Sequence, residues 1–553
     1  MRLRVFLRDT RTLLPAAWLL VNLLMLGFSY AKFSRSDRYF YTRALVGDAL
    51  SWARASAACL NLNCTMVLLP TCRHLMSRVR AACWHCRPAI RRQMDHCGYF
   101  HRTIAYTIVL LTAVHVVAHI LGSERFCAAS RAHDNSLLAR LSALGTNPNE
   151  TRLNPVWRAN TSPLRESLSG VPGLSGMLMT TCLVLVATSS RESVRRANYE
   201  IFWFTHLLAP VMYAGLLVHG LGRVVRGQTE ASLREHNITW CYARHEQWGG
   251  REAACPTPQF SGNPPVTWRW LLLPLLLYAG EQLLRCYCCC HPTVVTKVRE
   301  HPGHVLEVRV LGCPARARPG DHVLVRCASV SRAQWHALTL TWGAGSLHVH
   351  ADGDWTRALL RRCARAGGSE PPRLCVDGPF VGSSRDVDRY PVSVLIAAGI
   401  GITPFAAYLG SWLAGATRHT TVYLYWICRE PSSFAWLCEP LRSLERHLME
   451  TGCSHQLRYK LYLTRWDETQ AVHIALHWDE ADDTITGLRQ KTWFGRPNWS
   501  VELDQIARAH PGVEVGVFAC GPHALCEGVR RRCARHCSAG PDRAAFRFHQ
   551  EAD

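Results

Sequence analysis

The stretch HRTIAYTIVLLTAVHVVAH, residues 101–119, constrains the fold most: it is apolar enough to lie in hydrocarbon, yet it carries His101, His115 and His119. A bilayer core is crossed by about 20 apolar residues, and within it backbone polar groups must be satisfied inside the segment, so such a run folds as a helix. Apolar segments of comparable length lie near 14–30, 45–70, 102–122, 171–189, 201–221 and 268–285, and none follows residue 290 of the 553. Six membrane spans are expected. The 45–70 segment is the weakest, because it contains Asp48, Arg54 and two asparagines, and it is placed partly by requiring an even number of spans. The N-terminal MRLRVFLRDTRTLLPAAWLLVNLLMLGF has the basic and apolar regions of a signal peptide but no obvious cleavage site, so it reads as a first, uncleaved span.

Orientation follows from charge and sequons together. With 73–100 and 190–199 inside, Arg73, Arg78, Arg80, Arg87, Arg91, Arg92, Arg191, Arg195 and Arg196 face the cytoplasm, as positively charged loops prefer. Arginines in the outer loops, roughly 123–170 and 222–267, blur that signal, but Asn160-Thr161-Ser162 and Asn237-Ile238-Thr239 both fall outside, where glycosylation occurs. Asn63-Cys64-Thr65 matches the same pattern within a span, which argues against its use.

The net charge of +22 is spread over membrane-flanking arginines and a large cytoplasmic half, without a base-reading module, so nucleic acid is excluded as a partner. Anionic lipid, nucleotide phosphates and acidic protein surfaces fit it better. Of 25 cysteines, Cys241 and Cys255 share an outer loop and are candidates to bridge. For Cys286, Cys288, Cys289 and Cys290 after the sixth span, inert thiols are the leading reading, with palmitoylation ahead of a zinc site; Cys83-Trp84-His85-Cys86 has too little spacing context for metal. No EF-hand loop is present, which argues against direct calcium control.

A second apolar helix, FWFTHLLAPVMYAGLLVHG, carries His206 and His219. On ideal helices His101 and His115 lie roughly 21 Å apart along the axis, and His206 and His219 roughly 20 Å. Both helices run outward in the expected topology, so the four imidazoles can meet as an inner and an outer pair. Paired imidazoles are the ordinary axial ligands of a low-spin haem, and two stacked haems would span much of the hydrocarbon core. Fourteen residues return His115 nearly to the face of His101, but thirteen leave His219 off the face of His206; Pro210 between them is expected to bend the helix. His119, one turn past His115, reads as a pocket residue, and satisfied core histidines remain the competing interpretation.

The cytoplasmic half changes periodicity. Residues 304–358 contain short alternating runs, VLEVRV, HVLVRCASV, HALTLTWG and SLHVHA, the pattern of a small antiparallel barrel or sandwich. From 391, PVSVLIAAGIGITPFAAYLGSWL reads as buried strand, glycine turn and helix, followed by the strand TTVYLYWICR and a helix near 433–450, which favours an open α/β nucleotide-binding domain. Gly399, Gly401 and Thr403 would meet a pyrophosphate, Cys520 lies in a loop that could face a nicotinamide ring, and Arg429 and Arg496 are candidates for the adenosine phosphate.

Over essentially its whole length the chain resembles the catalytic subunits of phagocyte-type NADPH oxidases, ferric-reductase-like flavocytochromes. The motifs are YFYTR at 39–43, ARASA at 53–57, the histidine helices, HGLGRVVRGQT at 219–229, GDWT at 353–356, VDGPF at 376–380, GIGITPF at 399–405, YWICRE at 425–430, YLTRWDE at 462–468, ITGLRQKTWFGRPNW at 485–499 and FACGP at 518–522. The resemblance implies a multi-domain membrane protein: a six-helix haem-binding bundle over 1–289, a flavin-binding β-barrel over 290–388 and a ferredoxin-reductase-like α/β NADPH-binding domain over 389–553. It implies that His101 and His206 hold an inner b-type haem and His115 and His219 an outer one, with Arg54 and His119 lining an oxygen pocket. FAD would meet His336, Ala337, Leu338 and Thr339, and NADPH would lie across Gly399, Gly401, Thr403, Arg429, Arg496 and Cys520.

The implied activity passes electrons from cytosolic NADPH through FAD and two haems to oxygen on the outer or luminal side, giving superoxide. The implied partners are a small membrane subunit, cytosolic activators, a Rac-like GTPase and membrane lipid. Rival readings are a ferric or cupric metalloreductase and a haem-retaining scaffold. Departures from the family pattern concentrate at the flavin: Ala337 and Leu338 replace a proline and an aromatic residue, Trp342 stands at a normally small position, Val381 replaces a glycine, and Gln550-Glu551-Ala552-Asp553 stands where a terminal phenylalanine is usual.

Overall fold

The computed structural model describes residues 10–83, 86, 88–132, 136–145, 152–156, 162–249, 255–311, 317–341, 345–365, 372–415, 421–536 and 544–551. Trp342, Asn160, Thr161, Trp84, His85, Ala552 and Asp553 lie outside them. The chain divides into two compact units, Arg11–Cys72 with Cys97–Ala279, and Met1–Thr10 with Arg73–His96 and Gly280–Asp553.

The first unit is helical. Its long helices are α1 (Thr10–Arg35), α2 (Ala49–Leu68), α3 (Cys97–Ser130), α4 (Val171–Ser189), α5 (Tyr199–His206) and α6 (Ala209–Gly220), and α7 (Thr267–Cys290) starts within it. Leu23, Leu24, Phe28, Leu110, Leu185, Phe204 and Leu273 are exposed on these helices, the arrangement expected where lipid rather than water is the neighbour. Among the described residues four segments, Leu13–Arg35, Cys97–Ser130, Val171–Ser189 and Tyr199–Gly220, are long and apolar enough to cross a membrane, and Ala49–Thr71 joins them only when paired with the bent helix Arg73–Ala82. The helix Thr267–Cys290, read from sequence as the sixth span, forms as a helix but falls short on composition, since Arg269, Glu281 and Arg285 interrupt it.

Asn63, one of the polar residues that weaken the 45–70 segment, is satisfied within the unit. Asn63 is buried; its amide donates to Asn22 Oδ1 and to the Cys59 carbonyl, and its Oδ1 accepts from Trp18 Nε1 at 2.9 Å. That burial removes the Asn63 sequon from use. Beyond the long helices, YFYTR, on the short helix Phe40–Val46, and RGQT meet: Thr42 donates to the Arg226 carbonyl at 2.7 Å, and Arg226–Gln228 pairs antiparallel with Phe260–Gly262. Tyr41, Trp248, Phe260, Leu141 and Leu153 form one buried core around the Cys241–Cys255 disulfide, so both expected outer loops fold together.

The second unit holds two antiparallel sheets and one parallel sheet. Strands β1 (Val295–His301), β2 (Val305–Val310) and β5 (Ser346–His350) form one three-stranded sheet in the order β1-β2-β5. Strands β3 (His322–Cys327), β4 (His336–Thr339) and β6 (Leu374–Phe380) form the other in the order β4-β3-β6. Val308, Val323, Val325, Leu347 and Leu374 fill the space between them, with Trp355 from α8 (Asp354–Arg365).

The parallel sheet orders as β10 (Trp493–Phe494), β9 (Leu457–Leu463), β8 (Thr421–Cys428), β7 (Val392–Ala398), β11 (Glu514–Cys520) and β12 (Ala545–Gln550). Central strands such as β7 are buried on both faces, which is why VSVLIAA reads as a continuous rather than alternating apolar run. Helices α9 (Thr403–Leu413) and α10 (Ala435–Glu450) cover one face, α11 (Trp499–Ala509) and α12 (His523–His536) the other. The order reverses at β7, between β8 and β11, the switch point where open α/β sheets bind ligands.

The arginine-rich 73–92 loop is not the uniformly solvated charge run that its sequence suggests. Arg80 Nε donates to Asp95 Oδ1 at 2.6 Å, and Arg91 donates to Asp386 Oδ1 at 3.1 Å. Both guanidiniums are buried in this unit, while Arg73 and Arg78 remain exposed.

Candidate functional site

The four helix histidines do meet in two pairs. His101 on α3 and His206 at the end of α5 have ring centroids 6.3 Å apart, and His115 on α3 and His219 on α6 lie 6.2 Å apart. Two imidazoles on opposite sides of one metal, each bonded at about 2 Å, place their centroids roughly 6 Å apart. The thirteen-residue mismatch between His206 and His219 is resolved by a break. Helix α5 stops at His206, Leu207 and Leu208 form a turn, and α6 restarts with Pro210 in its first turn, where a missing N–H costs nothing.

The pairing alone would leave each imidazole free to present either nitrogen, and the backbone decides. Nδ1 of His101 lies 3.0 Å from the Val67 carbonyl, Nδ1 of His115 lies 3.1 Å from the Ala53 carbonyl, and Nδ1 of His219 lies 2.8 Å from the Pro172 carbonyl. A carbonyl only accepts, so each Nδ1 carries the proton and each Nε2 keeps a lone pair for a metal. Nδ1 of His206 is buried without a hydrogen-bond partner. The residues therefore fit two bis-imidazole haems. The hydroxyls of Ser56, 3.2 Å from His115, and Ser175, 3.2 Å from His219, belong to the same supports. So does Gly176, where a Cβ would come within 3.4 Å of the His219 ring. None of these was picked out from sequence, because a carbonyl support has no residue-type signature.

His119 packs edge-on against His115 at 4.5 Å, and the Arg54 charge reaches both rings. The Arg54 guanidinium sits 5.1 Å over the Phe33 ring, with Nε buried and unpartnered. A donor held this way, beside the outer pair, can stabilise negative charge developing on a small acceptor.

In the second unit the nucleotide candidates gather at the carboxyl ends of the parallel strands. Gly399, at the end of β7, has φ +55, and no atom lies within 4 Å of where its Cβ would be, leaving backbone open to approach. Gly401 is required for a different reason: a Cβ there would sit 2.6 Å from the Cys520 carbonyl oxygen at the end of β11. Thr403 begins α9. Arg429 follows β8 and Arg496 follows β10; both are exposed, and neither enters an ion pair among the described residues. They are thus free to meet an anion arriving at these strand ends.

The segment 336–339, part of the alternating run HALTLTWG, is the edge strand β4, with Ala337 opposite Leu324 and Leu338 opposite Val323. Alternation splits the motif. Leu338 packs against the core between the two antiparallel sheets, His336 stacks on Trp355 at 3.9 Å and 19°, and Ala337 is exposed. Nε2 of His336 and Nε1 of Trp355 are both buried without partners, so polar groups of a flavin have somewhere to bind. Burial pushes the His336 imidazole down to about 4, so it is neutral at pH 7.

Known proteins match each part of this arrangement. Residues 54–217 match the ferric reductase like transmembrane component family, residues 291–384 the FAD-binding domain family and residues 390–534 the ferric reductase NAD binding domain family. The class is therefore a membrane-embedded, ferric-reductase-like oxidoreductase carrying its own flavin- and nucleotide-binding domains. Within that class, the chain belongs to the NADPH oxidase family. It is 44% identical to NADPH oxidase 3 of Homo sapiens, covering 98% of both chains. It is 41% identical to NADPH oxidase 1 of Mus musculus, over 97% of this chain and 92% of that one. Identity to NADPH oxidase 4 of Homo sapiens is 28%, over 97% of this chain and 96% of that one.

Proposed function

We infer that this chain moves electrons from NADPH on the cytosolic side, by way of FAD and two haems, to oxygen on the outer or luminal side, where superoxide is released. The supporting observation is the pair of cross-helix imidazole contacts at 6.3 and 6.2 Å in a helical unit with lipid-compatible faces. Flavin accepts an electron pair as hydride and releases electrons singly, which suits it to feed one-electron haem iron.

The chain's own residues supply binding and orientation. His101 with His206 would hold the inner haem, and His115 with His219 the outer one. Arg54 and His119 would line the oxygen pocket, with the guanidinium favouring the anionic product. His336, Ala337, Leu338 and Thr339 would flank the flavin. Gly399, Gly401 and Thr403 would admit the pyrophosphate, Cys520 would sit by the nicotinamide, and Arg429 with Arg496 would receive the adenosine phosphate. The divisions that accompany this reading are 1–289, 290–388 and 389–553. Its partners would be a small membrane subunit, cytosolic activators and a Rac-like GTPase, for which exposed Arg73, Arg78 and Arg191 offer charge at the cytosolic face.

The test is an assay of purified protein loaded with haem and FAD. NADPH-dependent reduction of cytochrome c that superoxide dismutase abolishes supports the reading. Preferred reduction of chelated ferric ion, with no superoxide under air, replaces it with metal reduction.

A further inference from the structure

In the sheet β1-β2-β5, side chains alternate between two faces. Leu306, Val308, Leu347 and Val349 point into the core between the two antiparallel sheets. The register sets His301 opposite Val305 and Glu307 opposite His348, so His301, Glu307 and His348 share the other face on three adjacent strands. Their ligand atoms all lie within 4.8 Å of one another, and Glu307 and His348 are buried. Among the described residues this is the one such convergence of three metal-ligating side chains.

The surroundings orient the ligands. His348 Nδ1 lies 2.7 Å from Thr341 Oγ1, and that hydroxyl donates its hydrogen to the Ser346 carbonyl at 3.0 Å. The hydroxyl oxygen therefore accepts from Nδ1–H, and Nε2 of His348 retains its lone pair. The ring is held by stacking on Trp436 at 4.3 Å and 25°. Glu307 Oε1 accepts from Arg309 Nε at 2.9 Å, which leaves Oε2 towards His301 Nε2, also at 2.9 Å. Supports of this kind, a hydrogen bond fixing the imidazole tautomer and another holding the carboxylate, are those that surround metal ligands.

We propose that His301, Glu307 and His348 form a zinc-binding site in the cytosolic half of this protein, separate from every residue assigned to haem, flavin or nucleotide. Two imidazoles and one carboxylate select zinc over magnesium or calcium, which prefer oxygen, and three protein ligands leave a fourth position for water. Binding replaces the hydrogen bond between His301 and Glu307: the Nε2 proton leaves or moves to Nδ1, and Nε2 bonds the ion. Arg309 is retained on Oε1 and lowers affinity by its charge, which favours reversible occupancy. Coordination clamps the β1–β2 hairpin to β5 and, through the stacked His348, to Trp436 on α10.

Equilibrium dialysis of the full-length, haem-loaded protein against zinc alone, with zinc per chain counted by mass spectrometry, tests the site. His301→Gln and Glu307→Gln should each lose one zinc or bind it at least tenfold more weakly, with haem content unchanged, and His301→Cys, which restores a ligand, should recover it. Zinc stoichiometry and affinity equal to wild type in both Gln variants overturn the proposal. A structure of the wild-type protein at saturating zinc decides independently of any variant: density joining the three side chains supports the site, and its absence there overturns it.

Discussion

The Nδ1 nitrogen of His219 lies 2.8 Å from the carbonyl oxygen of Pro172, at the first turn of α4, and that contact determines which ring nitrogen faces His115. The same device recurs at His115 with Ala53 and at His101 with Val67. A residue on one helix is thus oriented by backbone from another, so the ligand geometry depends on helix packing as well as on the histidine itself.

Replacing His115 or His219 with Leu removes the only lone pair on one side of the outer pair. Haem content should fall from two towards about one per chain, with the low-spin spectrum of the inner site retained. Ser175→Ala should have a far smaller effect, because the Pro172 carbonyl still holds Nδ1. Pyridine haemochrome quantification of the purified variants gives the answer, and an undiminished two-haem content in His219→Leu defeats the assignment.

Nucleotide selectivity should rest on Arg429 and Arg496, since both are exposed at strand ends without competing ion pairs among the described residues. Only NADPH carries the extra phosphate. Loss of a charge-assisted hydrogen bond of about 1.5–3 kcal/mol raises KM for NADPH roughly tenfold or more. KM for NADH should stay nearly unchanged. Equal losses with both nucleotides would move these arginines to the shared pyrophosphate.

The histidine helices were legible because an imidazole in a lipid-compatible helix stands out against its neighbours. The break at Leu207 and Leu208 was only half legible: Pro210 marked a disturbance, but whether it bends or interrupts the helix depends on packing against α4. The burial of Arg91 was invisible, because its partner Asp386 lies 295 residues further along the chain and nothing local announces it. The strand at 336–339 was legible in the alternating run HALTLTWG, whereas its place at the sheet edge is set by pairing with β3.

Gly401 tests the crossing of β7 and β11. An added methyl would lie 2.6 Å from the Cys520 carbonyl, where neither partner is a flexible side chain end. Gly401→Ala should therefore displace the two strand ends, destabilising the nucleotide-binding domain by about 1–3 kcal/mol. NADPH-dependent flavin reduction should drop sharply while the haem spectrum is preserved. Wild-type flavin reduction in this variant would show that the turn does not approach nucleotide.

Acid should loosen the FAD-binding domain before it reaches the ordinary carboxylate range. Burial, reinforced by Arg73 and Arg80, pushes His322 down to about 4, and burial does the same to His336. In the unfolded chain both titrate near about 6.5, so the unfolded state takes up protons first. Stability is then full above about pH 6.5 and declines as pH falls towards 4. Thermal release of FAD, followed by flavin fluorescence in the intact protein, should occur at lower temperature at pH 5 than at pH 7.5. His322→Gln should flatten that dependence by about one proton; an unaltered slope would mean that His322 is protonated in the folded protein.

The flavin strand supplies the last test, because its two departures from the family pattern occupy different environments. Leu338 packs against the core between the two antiparallel sheets and Ala337 is exposed on the edge strand. Phenylalanine at 338 must then find room beside the buried side chains between the two sheets, and enlarging a packed position costs about 1–3 kcal/mol. Proline at 337 limits the chain's freedom and is tolerated on an edge strand only where no ladder N–H is needed. Ala337→Pro alone should leave FAD affinity within a few-fold of wild type. Ala337→Pro with Leu338→Phe should weaken it rather than restore a tighter family-like site, without altering the proposed haem ligands, His101, His115, His206 and His219, which lie on α3, α5 and α6. FAD titration of the detergent-solubilised protein separates the outcomes. Tighter binding by the double variant would show that the flavin lies against the side chain of residue 338 and that leucine there is a deficit.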